Sequence, residues 1–207
     1  MLREAIKSAM ERPDIRERLI VTPLLDPDKQ LGPGAIDLRL GTLFSETVRH
    51  QQESIDPLAE PLNPAIGSTG TYVPLGSKFI IHPGQFVLGH TLEFVSLPPD
   101  LIGQVLTRSS WGRLGLFVAT AVIVHPGYRG ILTLELVNTG NVPILMRPGL
   151  RIAQLQLWQS SQPTTVRYRS SGKYSKDLGP QSQRLILEAD EKEKLQKIGE
   201  HFHRRRD

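Results

Sequence analysis

The chain contains no cysteine, which excludes disulfides and every metal site built from thiolates. Nor does any apolar run approach the ~20 residues needed to cross a bilayer as a helix. The first residues, Met-Leu-Arg-Glu-Ala-Ile-Lys, lack the long apolar segment of a secretory signal, so a cytoplasmic location is expected. Aromatic residues are scarce, at 6%, and do not interleave with basic ones. A base-stacking surface for nucleic acid is therefore not expected. The net charge of +4 is carried largely by the His-Arg-Arg-Arg tail at 203–206, which reads as a solvated terminus. What remains is 207 residues with 39% hydrophobic and 22% charged content, enough for one domain with a real core and short appendages.

Residues 1–20 read as an N-terminal helical segment. Leu2, Ile6 and Met10 have helical spacing, and Pro13 is expected to divide the segment into two short helices. From 21 to 159 prolines and glycines punctuate short runs such as Ala-Ile-Asp-Leu-Arg-Leu (35–40) and Gln-Phe-Val-Leu-Gly (85–89), the signature of a mainly β sandwich or barrel. Alternation puts Ile36, Leu38 and Leu40 on one face and Asp37 and Arg39 on the other. The stretch 45–76 is poor in strand signal and reads as an insert or long loop. Thr120 to Val124 and Ile131 to Val137 read as buried central strands, divided by a turn at Pro126-Gly127. Residues 160–207 read as a polar arm followed by an exposed helix at 188–203.

The chemistry concentrates between Thr107 and Trp158. Arg108-Ser109-Ser110 and Arg113 supply two guanidiniums and two hydroxyls within six residues, a mixture suited to phosphate and equally to a plain polar turn. Glu135 lies in Leu-Thr-Leu-Glu-Leu-Val, opposite in face to Leu132, Leu134 and Leu136. Either it points to solvent or, because the neighbouring strands read as apolar on both faces, it points into a cleft. A partly desolvated carboxylate can shuttle protons near neutrality.

These motifs, together with Pro-Gly-Ala-Ile-Asp-Leu-Arg-Leu-Gly (33–41), Phe-Val-Leu-Gly-His-Thr-Leu-Glu (86–93), Arg-Ile-Ala-Gln (151–154) and Gly-Lys-Tyr (172–174), stand in the order of the dCTP deaminase family, within the dUTPase-like enzymes. The resemblance runs from about residue 20 to 184. It implies a distorted β-barrel or jelly-roll (β-clip) core and a homotrimer with sites between subunits. It further implies hydrolytic deamination of dCTP to dUTP and ammonia. By that resemblance Glu135, Ser109 and Arg113 are catalytic. Glu135 moves the proton, Ser109 positions water and Arg113 stabilises developing charge. Arg108, Ser110, Thr120, Ala121, His125, Gln154, Lys173 and Tyr174 bind the nucleotide. Magnesium enters only with the triphosphate. Zinc deaminases carry a His-x-Glu and Pro-Cys-x-x-Cys signature that this chain lacks.

The chain departs from the family at two positions. His125 stands where aspartate usually precedes Pro-Gly, and Asp177 replaces the arm's glutamine. Histidine supplies no permanent negative charge there, though its neutral ring is an acceptor. That change argues against efficient dUTP hydrolysis. Three readings follow: a dCTP deaminase, a dUTP diphosphatase or bifunctional enzyme, and a catalytically altered nucleotide-binding protein.

Overall fold

Order in this molecule begins with a short amphipathic helix, α1 (Arg3–Met10), which buries Ile6 and Ala9, one turn apart, against the core. Glu4 in its first turn and Lys7 in its last favour the helix dipole. The computed structural model describes residues 1–47, 68–119 and 123–164. The second helix expected after Pro13 does not form. The Asp14 carboxylate instead accepts from the backbone N–H of Arg16 at 2.9 Å and from its guanidinium, and this local alternative wins over a helix of so few residues. Leu19, almost wholly buried, then anchors the start of β1 (Ile20–Thr22).

A single helical turn, α2 (Pro27–Gln30), capped by the Asp26 side chain, leads into β2 (Ala35–Arg39) and β3 (Leu43–Thr47). Next come β4 (Ser68–Tyr72), β5 (Phe79–Ile81), β6 (Phe86–Ser96) and β7 (Leu101–Thr107). A second single turn, α3 (Ser109–Gly112), separates β7 from β8 (Leu116–Val118) and β9 (Ile123–Val124). The described chain ends through β10 (Arg129–Asn138), β11 (Ile144–Met146) and β12 (Arg151–Gln159). The expected gap at 45–76 thus has ladder-forming strands at both ends, while 48–67 lies outside the described residues. The C-terminal helix expected at 188–203 also lies outside them.

The strands form three antiparallel sheets. One runs β4-β3-β6-β10-β8 with β1 also on β6, another runs β2-β12-β7-β9, and β11 pairs with β5. Among the described residues the sheets do not close into a barrel. An isolated bridge between Leu40 and Thr91 ties the first two, and the result is a distorted jelly-roll. The turn at Pro126-Gly127 is present, with the Tyr128 N–H on the His125 carbonyl and Gly127 at φ +79°, a value L-residues avoid.

Register in β10 follows from its leucines. Leu132, Leu134 and Leu136 face inward, and each contributes roughly 1.5–3 kcal/mol on burial, so a one-residue slip that exchanged them for Thr133 and Glu135 is strongly disfavoured. Of the other strand expected to be central, only residues 123 and 124 are described, and these lie at an edge. Its described part, β9, pairs only with β7 at a sheet edge, and Ile123 is 52% exposed.

Candidate functional site

Strand β7 ends at Thr107, whose hydroxyl accepts from the Val118 N–H at 2.8 Å and so clamps β7 to the end of β8. The next residues turn over the sheet end as α3, with Arg108 as its extended N-cap and the Trp111 N–H on the Arg108 carbonyl at 2.9 Å. Ser109, Ser110 and Arg113 are exposed on this turn. The chain returns through Gly115, at φ +88°, so close to the Gly140 backbone that any Cβ would collide with it.

Beneath the turn lies Asp37, only 5% exposed. Alternation in β2 had put it on the outer face, but both faces of β2 are covered at this point. The Asp37 carboxylate accepts from Arg151 Nη1 at 3.1 Å and Gln154 Nε2 at 3.0 Å, and forms an ion pair with Arg108, whose Nε lies 3.2 Å away. Gln154 is the direct cross-strand neighbour of Asp37. A bulge between Arg151 and Ala153 re-aims β12 here. It leaves the Arg151 carbonyl to accept from Arg108 Nη1 at 3.0 Å and from the Trp111 indole at 2.8 Å. Arg108 and Gln154, two of the residues expected to bind nucleotide, are thereby brought together through a carboxylate that sequence reading did not single out. No local signal marks it, because its arginines arrive from the start of α3 and from β12, far along the chain.

A second buried carboxylate extends the network. Glu93, fully buried, accepts from Gln30 Nε2 at 2.8 Å and from the Arg39 N–H at 2.9 Å. Burial pushes its carboxyl above the usual carboxylate range, with those hydrogen bonds opposing. Gln30 Nε2 also donates to the Asp37 carbonyl at 3.1 Å, joining the two carboxylate sites.

Glu135 occupies the other sheet. It is half-buried in β10, opposite Leu88 on β6, and its carbonyl accepts from the Ala119 N–H at 2.7 Å. The path from the serine–arginine turn to Glu135 is short: Thr107 holds Val118, and the next residue, Ala119, holds Glu135. The flanking strand β6 is not apolar on both faces as expected, since it buries His90, Thr91 and Glu93. Each is satisfied within the fold, which is how a polar side chain is tolerated there. His90 Nδ1 donates to the Thr91 carbonyl at 2.7 Å and Nε2 accepts from the Leu43 N–H at 3.0 Å, which defines a neutral ring. Burial lowers its pKa, in keeping with that neutral form.

His125 is exposed where β9 enters its turn. Thr120 and Ala121, expected to read the base, and Lys173 and Tyr174, expected to close over the phosphates, lie outside the described residues.

A family model described as dCTP deaminase-like matches residues 3–160. A dCTP deaminase of Halorubrum lacusprofundi is 44% identical over 171 residues, spanning 81% of this chain and 83% of its own. A dUMP-forming dCTP deaminase of Dictyoglomus thermophilum is 40% identical over 179 residues, spanning 85% of this chain and 91% of its own. The crystal structure of a 2'-deoxycytidine 5'-triphosphate deaminase from Agrobacterium tumefaciens matches with a TM-score of 0.54 at 25% identity. That likeness covers 76% of this chain but only 46% of the Agrobacterium chain.

Proposed function

The chain belongs to the dCTP deaminase-like family, and from that premise we propose that it deaminates dCTP at C4 of the cytosine to give dUTP and ammonia. The observation that carries this reading is the exposed Ser109–Arg113 turn, braced from below by Asp37 and linked through Thr107 and Ala119 to the strand of Glu135. It offers exposed hydroxyl and guanidinium donors for an anion, beside the held Arg108 and close to the strand bearing a carboxylate that can move protons.

In this proposal Glu135 takes a proton from water as the water oxygen bonds to C4, and delivers it to the base. Ser109 holds the water, and Arg113 stabilises the negative charge that develops. The proton of the new C4 hydroxyl then passes by way of Glu135 to the amino group, the C4–N bond breaks, and ammonia leaves a carbonyl at C4. Arg108, Ser110 and Gln154 receive the phosphates, His125 lies beside the nucleotide, the backbone at 120–121 reads the pyrimidine, and Lys173 and Tyr174 cover the ligand.

Among the described residues no group of three or more His, Asp or Glu side chains comes together as a metal cage. The guanidinium and hydroxyl donors of the turn suit phosphate oxygens, so magnesium fits this site as part of the incoming nucleotide. Held there with the triphosphate that Arg108, Ser110 and Gln154 receive, it would offset phosphate charge. No described helix is long and apolar enough to cross a membrane, and a cytoplasmic setting is part of the proposal.

The test is incubation with dCTP, CTP or dUTP and magnesium, with ammonia and pyrophosphate measured separately. Ammonia without pyrophosphate, from dCTP, is the expected result, because His125 replaces the aspartate that the resemblance associates with dUTP hydrolysis. Ammonia and pyrophosphate together would make the enzyme bifunctional and dUMP-forming. Pyrophosphate from dUTP alone would make it a diphosphatase, and neither product would leave a binding protein.

We also propose a homotrimer. Leu106, Phe117 and Ile123 are 37%, 46% and 52% exposed on β7, β8 and β9, more apolar surface than this corner of a lone subunit needs. Light scattering should give three times the chain mass at micromolar concentration, and a stable monomer would refute the assembly.

A further inference from the structure

We propose that Asp37 is a positioning residue for the phosphate end of the site, holding Arg108 and Gln154 in the orientation that receives a nucleoside triphosphate. The inference rests on the dCTP deaminase reading and adds a residue to it.

The geometry supports a positioning role in three ways. First, the Asp37 carboxylate is shared. Its Oδ2 accepts from Arg151 Nη1 and pairs with the Arg108 guanidinium through Nε, and its Oδ1 accepts from Gln154 Nε2. One buried anion on β2 therefore sets three side chains, two from β12 and one from the start of α3. Second, the Arg108 guanidinium is held at two points, Nε on Asp37 and Nη1 on the Arg151 carbonyl. Two contacts fix the plane of the fork, and the rest of its five donors then point in a defined direction. An arginine so fixed loses little freedom when it grips a phosphate.

Third, the charges leave a cation. Arg108 and Arg151 carry two positive charges against the single negative charge of Asp37, and both guanidiniums are about one-quarter exposed. Without the carboxylate the two cations would repel across the same few ångströms. With it they can sit together and keep a net positive charge toward solvent. Stability alone is a weak reason for such a cluster, since buried ion pairs return little beyond their desolvation cost. The base of the cluster is fixed as well, because Gln30 holds the Asp37 carbonyl and Arg151 Nη1 also donates to the Lys29 carbonyl at 2.7 Å.

The experiment compares wild type, Asp37→Asn, Arg108→Ala and the double variant, by steady-state ammonia release from dCTP with magnesium. Losing the charged acceptor should raise KM about tenfold or more. The value of kcat should stay within about threefold, because the reacting atoms are untouched. Adding Asp37→Asn to Arg108→Ala should raise KM by clearly less than Asp37→Asn does alone, since only Gln154 is then left to orient toward the phosphates. An unchanged KM in Asp37→Asn, or fully additive losses in the double variant, would overturn the proposal while leaving the deaminase reading intact. Wild-type protein that releases no ammonia from dCTP would overturn the reading and the proposal with it. If Asp37→Asn does not fold, Asp37→Glu keeps the charge and displaces it by one methylene. It should still raise KM with kcat preserved, and a wild-type KM there would count against positioning.

Discussion

Replacing Glu135 with glutamine should stop deamination while leaving triphosphate binding nearly intact. The amide keeps the length and shape of the side chain but cannot take a proton from water. Removing a general base of this kind typically slows turnover by ~10²–10⁴-fold. The strand should not suffer, because β10 is held by its ladder with β6 and β8 and by Leu132, Leu134 and Leu136 on the face opposite Glu135. The measurement is ammonia release from dCTP, set beside nucleotide affinity from the fluorescence of Trp111, whose indole donates to the Arg151 carbonyl beside the Arg108–Asp37 pair. Full turnover in the variant would remove Glu135 from the mechanism. Lost binding with unchanged turnover per bound nucleotide would make it a ligand contact instead.

Adding a single methyl group at Gly41 should be among the most damaging changes to the fold. A Cβ there would fall within the His90 ring, against Cε1, Nδ1 and Nε2. The ring has no cheap escape. It is 7% exposed, donates through Nδ1 to the Thr91 carbonyl, and accepts through Nε2 from Leu43. Either the strands part or His90 gives up buried hydrogen bonds, so Gly41→Ala should cost about 3 kcal/mol or more. Urea denaturation gives the number. His90→Ala in the same chain should recover part of it, measured as a non-additive term in the double-variant cycle. A loss below about 1 kcal/mol would mean that the packing is looser than it looks.

Gly41 and Asp37 fall in one short motif, and they mark how far local pattern reaches. The class of fold was legible, since short apolar runs between prolines and glycines lead to many antiparallel strands. So was the inward face of β10, and with it the position of Glu135, because three leucines at period two leave one face to choose. The turn bearing Ser109, Ser110 and Arg113 was legible from composition, as was the Pro126-Gly127 corner.

Other features depended on what packs against what. Period-two alternation sorts the residues of β2 between two faces, but it is silent on whether the second face is also covered. In the fold Gln30 approaches Asp37 from one side and Arg108, Arg151 and Gln154 from another, so the nominally outer face becomes a buried ion cluster. In the same way His90, Thr91 and Glu93 look misplaced in an apolar strand until their partners on Leu43, Leu132, Arg39 and Gln30 arrive. Apolar content alone made residues 120–124 a central strand, yet among the described residues β9 has one ladder partner and Ile123 is exposed. The second short helix expected after Pro13 was outweighed by the Asp14 side chain taking the Arg16 backbone donor. The sequence by itself determined which segments extend and which of their faces are apolar, because those are properties of neighbouring residues. Only the tertiary structure decided which polar groups are buried and what they hold, because burial and pairing are made by residues far apart in the chain.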